Sequence, residues 1–150
     1  MPTQEVEVRR ATLADLDVLV PLFDQYRQFY RQPGDPERAH RFLRERLERS
    51  QSVILLAFDN TAIGFTQLYP SFSSGAMAPI FILNDLFVAP EARRRGVGSR
   101  LLRAAAQHGR DTGAIRLVLS TELTNTTAQS VYERMGWKRD MVFCVYQLPL

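Results

Sequence analysis

"VAPEARRRGVGSRLL", residues Val88–Leu102, sets three consecutive arginines between a proline-ended apolar run and a Gly-Val-Gly. Upstream, "IFILNDLFV" (Ile80–Val88) is apolar except at Asn84 and Asp85 and reads as a strand that Pro90 ends. Downstream, Leu101, Leu102 and Ala105 recur opposite Arg100, Arg103, Gln107 and Arg110, which predicts a helix from about Gly98 to about Thr112. "IRLVLST" (Ile115–Thr121) then reads as another strand. A strand, a helix and a strand in succession make a right-handed crossover with parallel strands. This stretch therefore decides for an α/β chain.

The arginine-glycine run lies where a strand ends and a helix begins. First-turn N–H groups there lack intrahelical partners and carry the positive end of the helix dipole. Glycine removes the Cβ that would hold a ligand away from them. Together these features describe an anion site built from backbone. A P-loop needs Gly-Lys-Ser/Thr after its spacer, and the dinucleotide fingerprint needs a glycine where Leu101 stands; the sequence has neither. Taken alone, the run reads equally as a structural turn.

Outward from this stretch the other elements follow. "VEVRRA" (Val6–Ala11) alternates as a first strand. Thr12 and Asp15 form a capping-box pattern before a helix carrying Leu16, Leu19, Val20 and Phe23 inward, to about Tyr30. "RQPGD" breaks the chain, and Asp35-Pro36 opens a second helix with Phe42, Leu43 and Leu47 inward. "SVILLAF" is a buried strand, Asp59-Asn60 a turn, "TAIGFTQLY" the returning strand and "PSFSSGAMAP" a flexible loop. A helix over Thr126–Met135 and a final strand "MVFCVYQL" complete a βααβββαβαβ order. The expected architecture is one α/β domain over residues 1–150. It has a mixed, mostly antiparallel sheet of six to seven strands with helices on both faces.

Composition narrows the function classes. The 150 residues carry 19 basic and 16 acidic side chains, a net charge of +3. That is too balanced for a dedicated nucleic-acid binder. The single cysteine, Cys144, excludes an intrachain disulfide and, inside an apolar run, reads as a buried small hydrophobe. No apolar stretch is long enough to span a bilayer, and "MPTQEVEVRR" has no apolar signal core. A cytoplasmic protein without membrane or metal partners is expected. The apolar "MVFCVYQL" offers an edge for a homodimer, which the sequence leaves open.

Two motifs resemble those of one family. "RRRGVG" resembles the acetyl-CoA-binding motif Arg/Gln-x-x-Gly-x-Gly/Ala of the GCN5-related N-acetyltransferase (GNAT) superfamily, with Arg93, Gly96 and Gly98 in place. "NTTAQSVYERMGW" resembles its second element, with Asn125, Ala128, Tyr132, Gly136 and Trp137 in place. The element order is similar over nearly the whole chain. The layout from "FTQLY" to "NDLFV" looks like that of the diamine, polyamine and histone-lysine branch.

The resemblance implies acetyl transfer from acetyl-CoA to a primary amine, a small amine, polyamine or lysine-like side chain. It implies that N–H groups from Arg94, Arg95, Gly96, Val97, Gly98 and Ser99 hold the pyrophosphate, with arginine side chains, Arg93 among them, adding charge. The backbone of Leu86, Phe87 and Val88 would pair with the pantetheine arm, which requires the flanking strand to splay away. Asn125 and Ala128 would line the cofactor, and Tyr132 would protonate the leaving thiolate. Family members place an acid before the Asp of "NDLFV"; here that residue is Asn84, so Asp85 is the candidate base and Glu122 a second. Acceptor-side candidates are Phe23, Asp24, Tyr26, Phe29, Tyr30, Asp35, Tyr69 and Phe72. A catalytically silent acetyl-CoA sensor and an arginine-based nucleic-acid module are the competing readings.

Overall fold

Val53–Phe58 is apolar at every position, a pattern that suits a strand covered on both faces. In the structure, a computed structural model that describes residues 5–150, this segment is such a strand, β2. Residues 1–4, on which the reading of the N-terminus partly rests, lie outside the described residues. The chain divides into two compact units, Met1–Leu119 and Ser120–Leu150, taken here in turn.

In the first unit β1 (Glu7–Arg10), β2, β3 (Ala62–Ser73) and β4 (Ala78–Val88) pair antiparallel in sequence order. The last strand, β5 (Leu117–Val118), joins β4 in parallel through the crossover helix α3 (Val97–Asp111). Strand alternation assigns the faces. Phe65 of β3 packs with Leu19 and Phe23 of α1 (Leu16–Phe29) and with Leu43 of α2 (Pro36–Glu48). The neighbouring Gly64 points the other way, towards Val97 and Leu101 of α3. Helices thus cover both faces, as expected.

Local chemistry sets the helix ends. The Asp15 carboxylate accepts the Thr12 N–H at 2.8 Å, the capping-box contact the sequence calls for. Arg9 donates to both Asp15 oxygens, at 2.7 and 2.9 Å, and holds that carboxyl down to about 2. Asp35 caps α2, accepting the Arg38 N–H at 3.1 Å, with Pro36 in the first turn.

The second unit contains α4 (Thr126–Arg134). Asn125 Oδ1 caps it through the Ala128 N–H at 3.2 Å. Its far end is a Schellman closure. Trp137 N–H donates to Tyr132 C=O, and Gly136 N–H to Glu133 C=O, with Gly136 at φ 94°. Glycine is favoured there because other residues rarely adopt that φ.

Four expectations need correction. Among the described residues the sheet has five strands, not six to seven, because "MVFCVYQL" forms no ladder. Instead Asp140 Oδ1 accepts the N–H groups of Val142 and Phe143 in a local turn. An apolar, β-prone run becomes a strand only where an edge pairs with it. Cys144, on the same run, is consequently exposed rather than buried. "PSFSSGAMAP" is no loop: the β3–β4 ladder extends to Ser73 opposite Ala78, leaving only Ser74–Met77 as the turn. Phe42 is 36% exposed, at the rim of the core, where its ring stacks on Phe23 at 5.8 Å.

Candidate active site

β4 is the strand on which the candidate residues meet. Its first half is paired on both sides. Phe81 and Ile82 face Leu117 and Val118 of β5, and Ser71 and Tyr69 of β3 lie opposite Ile80 and Ile82. From Leu83 onward no described residue pairs with the β5 side. At the same place the β3–β4 register slips, with Gln67 opposite Asp85 but Leu68 opposite Leu83. Asn84 is the extra residue of a bulge.

Beyond the bulge the backbone divides its hydrogen-bonding groups. Ala89 N–H donates to Ile63 C=O of the β3 side at 2.8 Å. By alternation the Phe87 N–H also points to β3, whereas Leu86 and Val88 point to the open edge. Val88 C=O accepts there from Arg93 Nε at 3.1 Å. Among the described residues the open edge therefore presents main-chain groups that no strand pairs, the Val88 C=O being taken by Arg93. Of the three residues named for it, Phe87 faces away.

The edge runs into the arginine-glycine turn. Arg94 (φ 64°) and Gly96 (φ 73°) take left-handed conformations that bend the chain into α3. A Cβ at Gly98 would meet only Val88 Cγ2, at 3.9 Å. Among the described residues no contact beyond its own helix thus demands glycine there, and the space it leaves lies over the first turn of α3. The arginines differ. Arg95 is bound to Asp59 of the β2–β3 turn at 2.5 Å. Arg93 bonds Val88 and lies over Phe29 and Phe87. Arg94 is exposed. Arg100 donates to Val6 C=O at 2.9 Å, which ties α3 to the chain just before β1.

Beneath the bulge is a buried polar group. Asp85 is 2% exposed. Its oxygens accept from Gln67 Nε2 at 2.5 Å and Asn84 Nδ2 at 2.8 Å. Its backbone C=O accepts from Thr66 Oγ1 at 2.7 Å. Burial pushes the Asp85 carboxyl up, and donation from Asn84, Gln67 and Tyr26 partly offsets this. The Tyr26 hydroxyl donates to Asn84 C=O at 3.3 Å, and its pKa rises through burial first and the Asp85 charge second. Tyr69 is raised to about 12 for the same two reasons.

The other acceptor-side candidates scatter. Tyr26, Phe29 and Tyr30 form a chain of ring contacts at the end of α1. Phe23 is core and Phe72 is exposed on the β3–β4 hairpin. Asp24 is a structural acceptor, taking the Asp35 N–H at 2.8 Å and Gln28 Nε2 at 3.1 Å. In the second unit Tyr132 is half-buried with its ring 6.1 Å from Trp137, and Glu122 is exposed before α4, where its C=O accepts the Asn125 N–H.

Sequence reasoning missed Gln67 and Asp59. Gln67 had a signal, a long polar side chain in the middle of a strand between apolar Phe65 and Leu68; Asp59 had none beyond its turn. Gln67 Oε1 is buried without a hydrogen-bond partner.

Comparison with known proteins agrees with this geometry. The model of the acetyltransferase (GNAT) family matches residues 19–137. An uncharacterized N-acetyltransferase, YhfO, of Bacillus subtilis is 50% identical over 95% of this chain and 97% of its own. The crystal structure of a probable acetyltransferase superposes with TM-score 0.90 at 47% identity, covering 96% and 97% of the two chains. The structure of AAC(6')-Iy in complex with the bisubstrate analogue CoA-S-monomethyl-acetylneamine superposes with TM-score 0.79 at 25% identity, covering 97% and 99%. With a family match over most of its length and relatives alike over nearly their full length, the chain belongs to the acetyltransferase (GNAT) family as an N-acetyltransferase, an acyl-transferring enzyme.

Proposed function

We propose that the chain binds acetyl-CoA along the open edge of β4 and transfers its acetyl group to a primary amine in a ternary complex. The observation that carries this is the open edge itself, which ends at the first turn of α3. The outward main-chain groups of Leu86 and the outward N–H of Val88 suit an extended amide-bearing arm, which would add to the sheet like a strand. The N–H groups between Arg94 and Ser99, with the space left by Gly98, suit a pyrophosphate. Arg94 is the arginine we assign to that charge, since Arg95 is paired with Asp59. When bound, acetyl-CoA supplies the thioester.

The chain's residues then take these roles. The Val88 N–H polarises the thioester carbonyl, because the Phe87 N–H points into the β3 ladder. The neutral amine attacks the carbonyl carbon, the C–S bond breaks, and the thiolate takes a proton. Tyr132 is assigned that proton on the likeness of its motif, and Asn125 contributes its amide N–H₂, its Oδ1 being used on α4. Asp85 accepts the proton the ammonium must lose. Burial raises its pKa, and the Tyr26 hydroxyl beside it is the path by which a proton reaches it. The likeness to the diamine, polyamine and histone-lysine branch supports an amine acceptor.

Calorimetry with acetyl-CoA on the native chain and Gly98→Trp tests the cradle. Binding by the native chain and none by a folded Gly98→Trp is expected. Equal binding by both would overturn the placement on α3. Thiol release with an amine panel, native against Tyr132→Phe, tests the proton donor. A loss of about 10²-fold or more in kcat is expected for Tyr132→Phe.

A further inference from the structure

The three arginines of the turn face different neighbours. Arg95 is neutralised by Asp59. Arg93 lies against β4 and the end of α1: its Nε bonds Val88 C=O, and its guanidinium carbon lies 5.7 Å from the Phe29 ring centre and 5.8 Å from that of Phe87. From Phe29 the ring contacts continue to Tyr30 at 5.2 Å and from Tyr30 to Tyr26 at 5.0 Å. Tyr26 reaches Asn84 C=O at the bulge. A strip of aromatic surface thus runs beside β4 from the bulge to Arg93, with Phe29 57% exposed and Tyr30 37% exposed.

The charge along this strip is one-sided. Asp85, the carboxyl next to it, is 2% exposed with Gln67 and Asn84 on its oxygens. Asp24, further back on α1, is buried and holds the Asp35 N–H. Arg27, on the same helix end, donates to Pro33 C=O. A polycation laid on this strip would meet a guanidinium and no exposed carboxylate among these residues. A carboxylate would meet Arg93, which has one of its five N–H donors committed to Val88. An apolar or aromatic body would meet the rings, and stacking there is compatible with the cation over Phe29.

We propose that the acceptor is a primary amine that also carries a carboxylate, an amino-acid-like molecule, and that Arg93 is the residue that selects it. This rests on the reading that acetyl transfer occurs at the β4 edge. It moves Arg93 from the phosphate side of the turn to the acceptor side.

The test is calorimetry on the full chain saturated with desulfo-coenzyme A, which lacks the reacting sulfur. Matched pairs are titrated, phenylalanine against phenethylamine and lysine against cadaverine, with spermidine as the polycation. Each carboxylate-bearing partner is expected to bind about tenfold more tightly than its decarboxylated amine. Arg93→Gln should remove that difference while desulfo-coenzyme A affinity stays within about twofold, and Arg93→Lys should restore part of it. Equal or tighter binding of the bare amines would overturn the proposal. So would an Arg93→Gln variant that loses coenzyme affinity and keeps the acceptor preference. Thiol release from acetyl-CoA with the same pairs separates the two claims. Arg93-dependent binding without transfer would sink transfer at this edge and leave the carboxylate preference standing. Transfer without preference would do the reverse.

Discussion

The two halves of β4 have nearly the same composition and opposite fates. Ile80–Leu83 is buried except at Ile82 and is laddered on both sides at Phe81 and Ile82, whereas Leu86–Val88 is laddered on one side only. Between them stand a bulge at Asn84 and the end of a two-residue β5. The closed half is sheet interior and the open half is where we propose the site, although both are apolar strand. What separates them is which backbone groups are already paired, because an unpaired main-chain group at a sheet edge is available to a ligand.

The strongest way to break this comparison is to place proline on either side of it. Phe87→Pro removes an N–H that points into the β3 ladder and deletes a buried ring. Leaving the facing C=O unsatisfied costs about 1–3 kcal/mol and losing a buried ring about 3–5 kcal/mol, together a large share of the ~5–15 kcal/mol that holds a domain together. Loss of cooperative thermal unfolding is expected. Val88→Pro, one residue on, removes an N–H that faces the open edge. The chain should stay folded, with kcat lower by about 10²–10³-fold, while Val88→Ala stays within a few fold. Equal destabilisation by the two prolines would show that the edge is not open in solution.

The next test moves below the bulge. Asp85→Asn should lower kcat/KM by about 10²-fold if the carboxyl takes the amine proton. It should also change the pH dependence of stability. The folded value of Asp85 is raised, so the folded chain binds its proton more tightly than the unfolded chain does. Its contribution is most favourable below the unfolded value near 3.8, declines as pH rises to the folded value and is flat above it. Urea denaturation from pH 4 upward should lose that decline in Asp85→Asn. A variant retaining the native profile would remove Asp85 from both roles.

Asp15 supplies the opposite sign and the smallest effect. Arg9 holds it down to about 2, so its contribution is present above 3.8 and disappears as pH falls towards 2. Arg9→Met should raise the Asp15 pKa towards 3.8, followed by carboxyl NMR titration, and soften the acid limb of the stability curve. Activity near neutral pH should not move, since this pair lies at the start of α1, outside the residues proposed for the site.

The difference between the halves of β4 also marks how far the site could be read in advance. The glycine turn, the helix behind it and the Asn125-to-Trp137 motif were legible because each is a local pattern. Thr12 and Asp15, Asp35 and Pro36, and Gly136 do their work within a few residues of themselves. The task of each arginine was not legible. Three adjacent arginines look alike in a line, and only the fold brings Asp59 to one and Phe29 to another. Asp85 could be named as a buried acid in an apolar strand, but Gln67, which answers it, lies one strand away.

The sequence by itself determined the order of elements up to α4, the helix caps and the family, because periodicity, capping and motif spacing are short-range chemistry. Tertiary structure alone decided that β3 and β4 run on as one long hairpin and that β4 is bulged and half open. It also decided that "MVFCVYQL" is left without a ladder. Those outcomes depend on which edges meet across long stretches of chain, and strand-forming residues carry no record of the partner that will satisfy their hydrogen bonds.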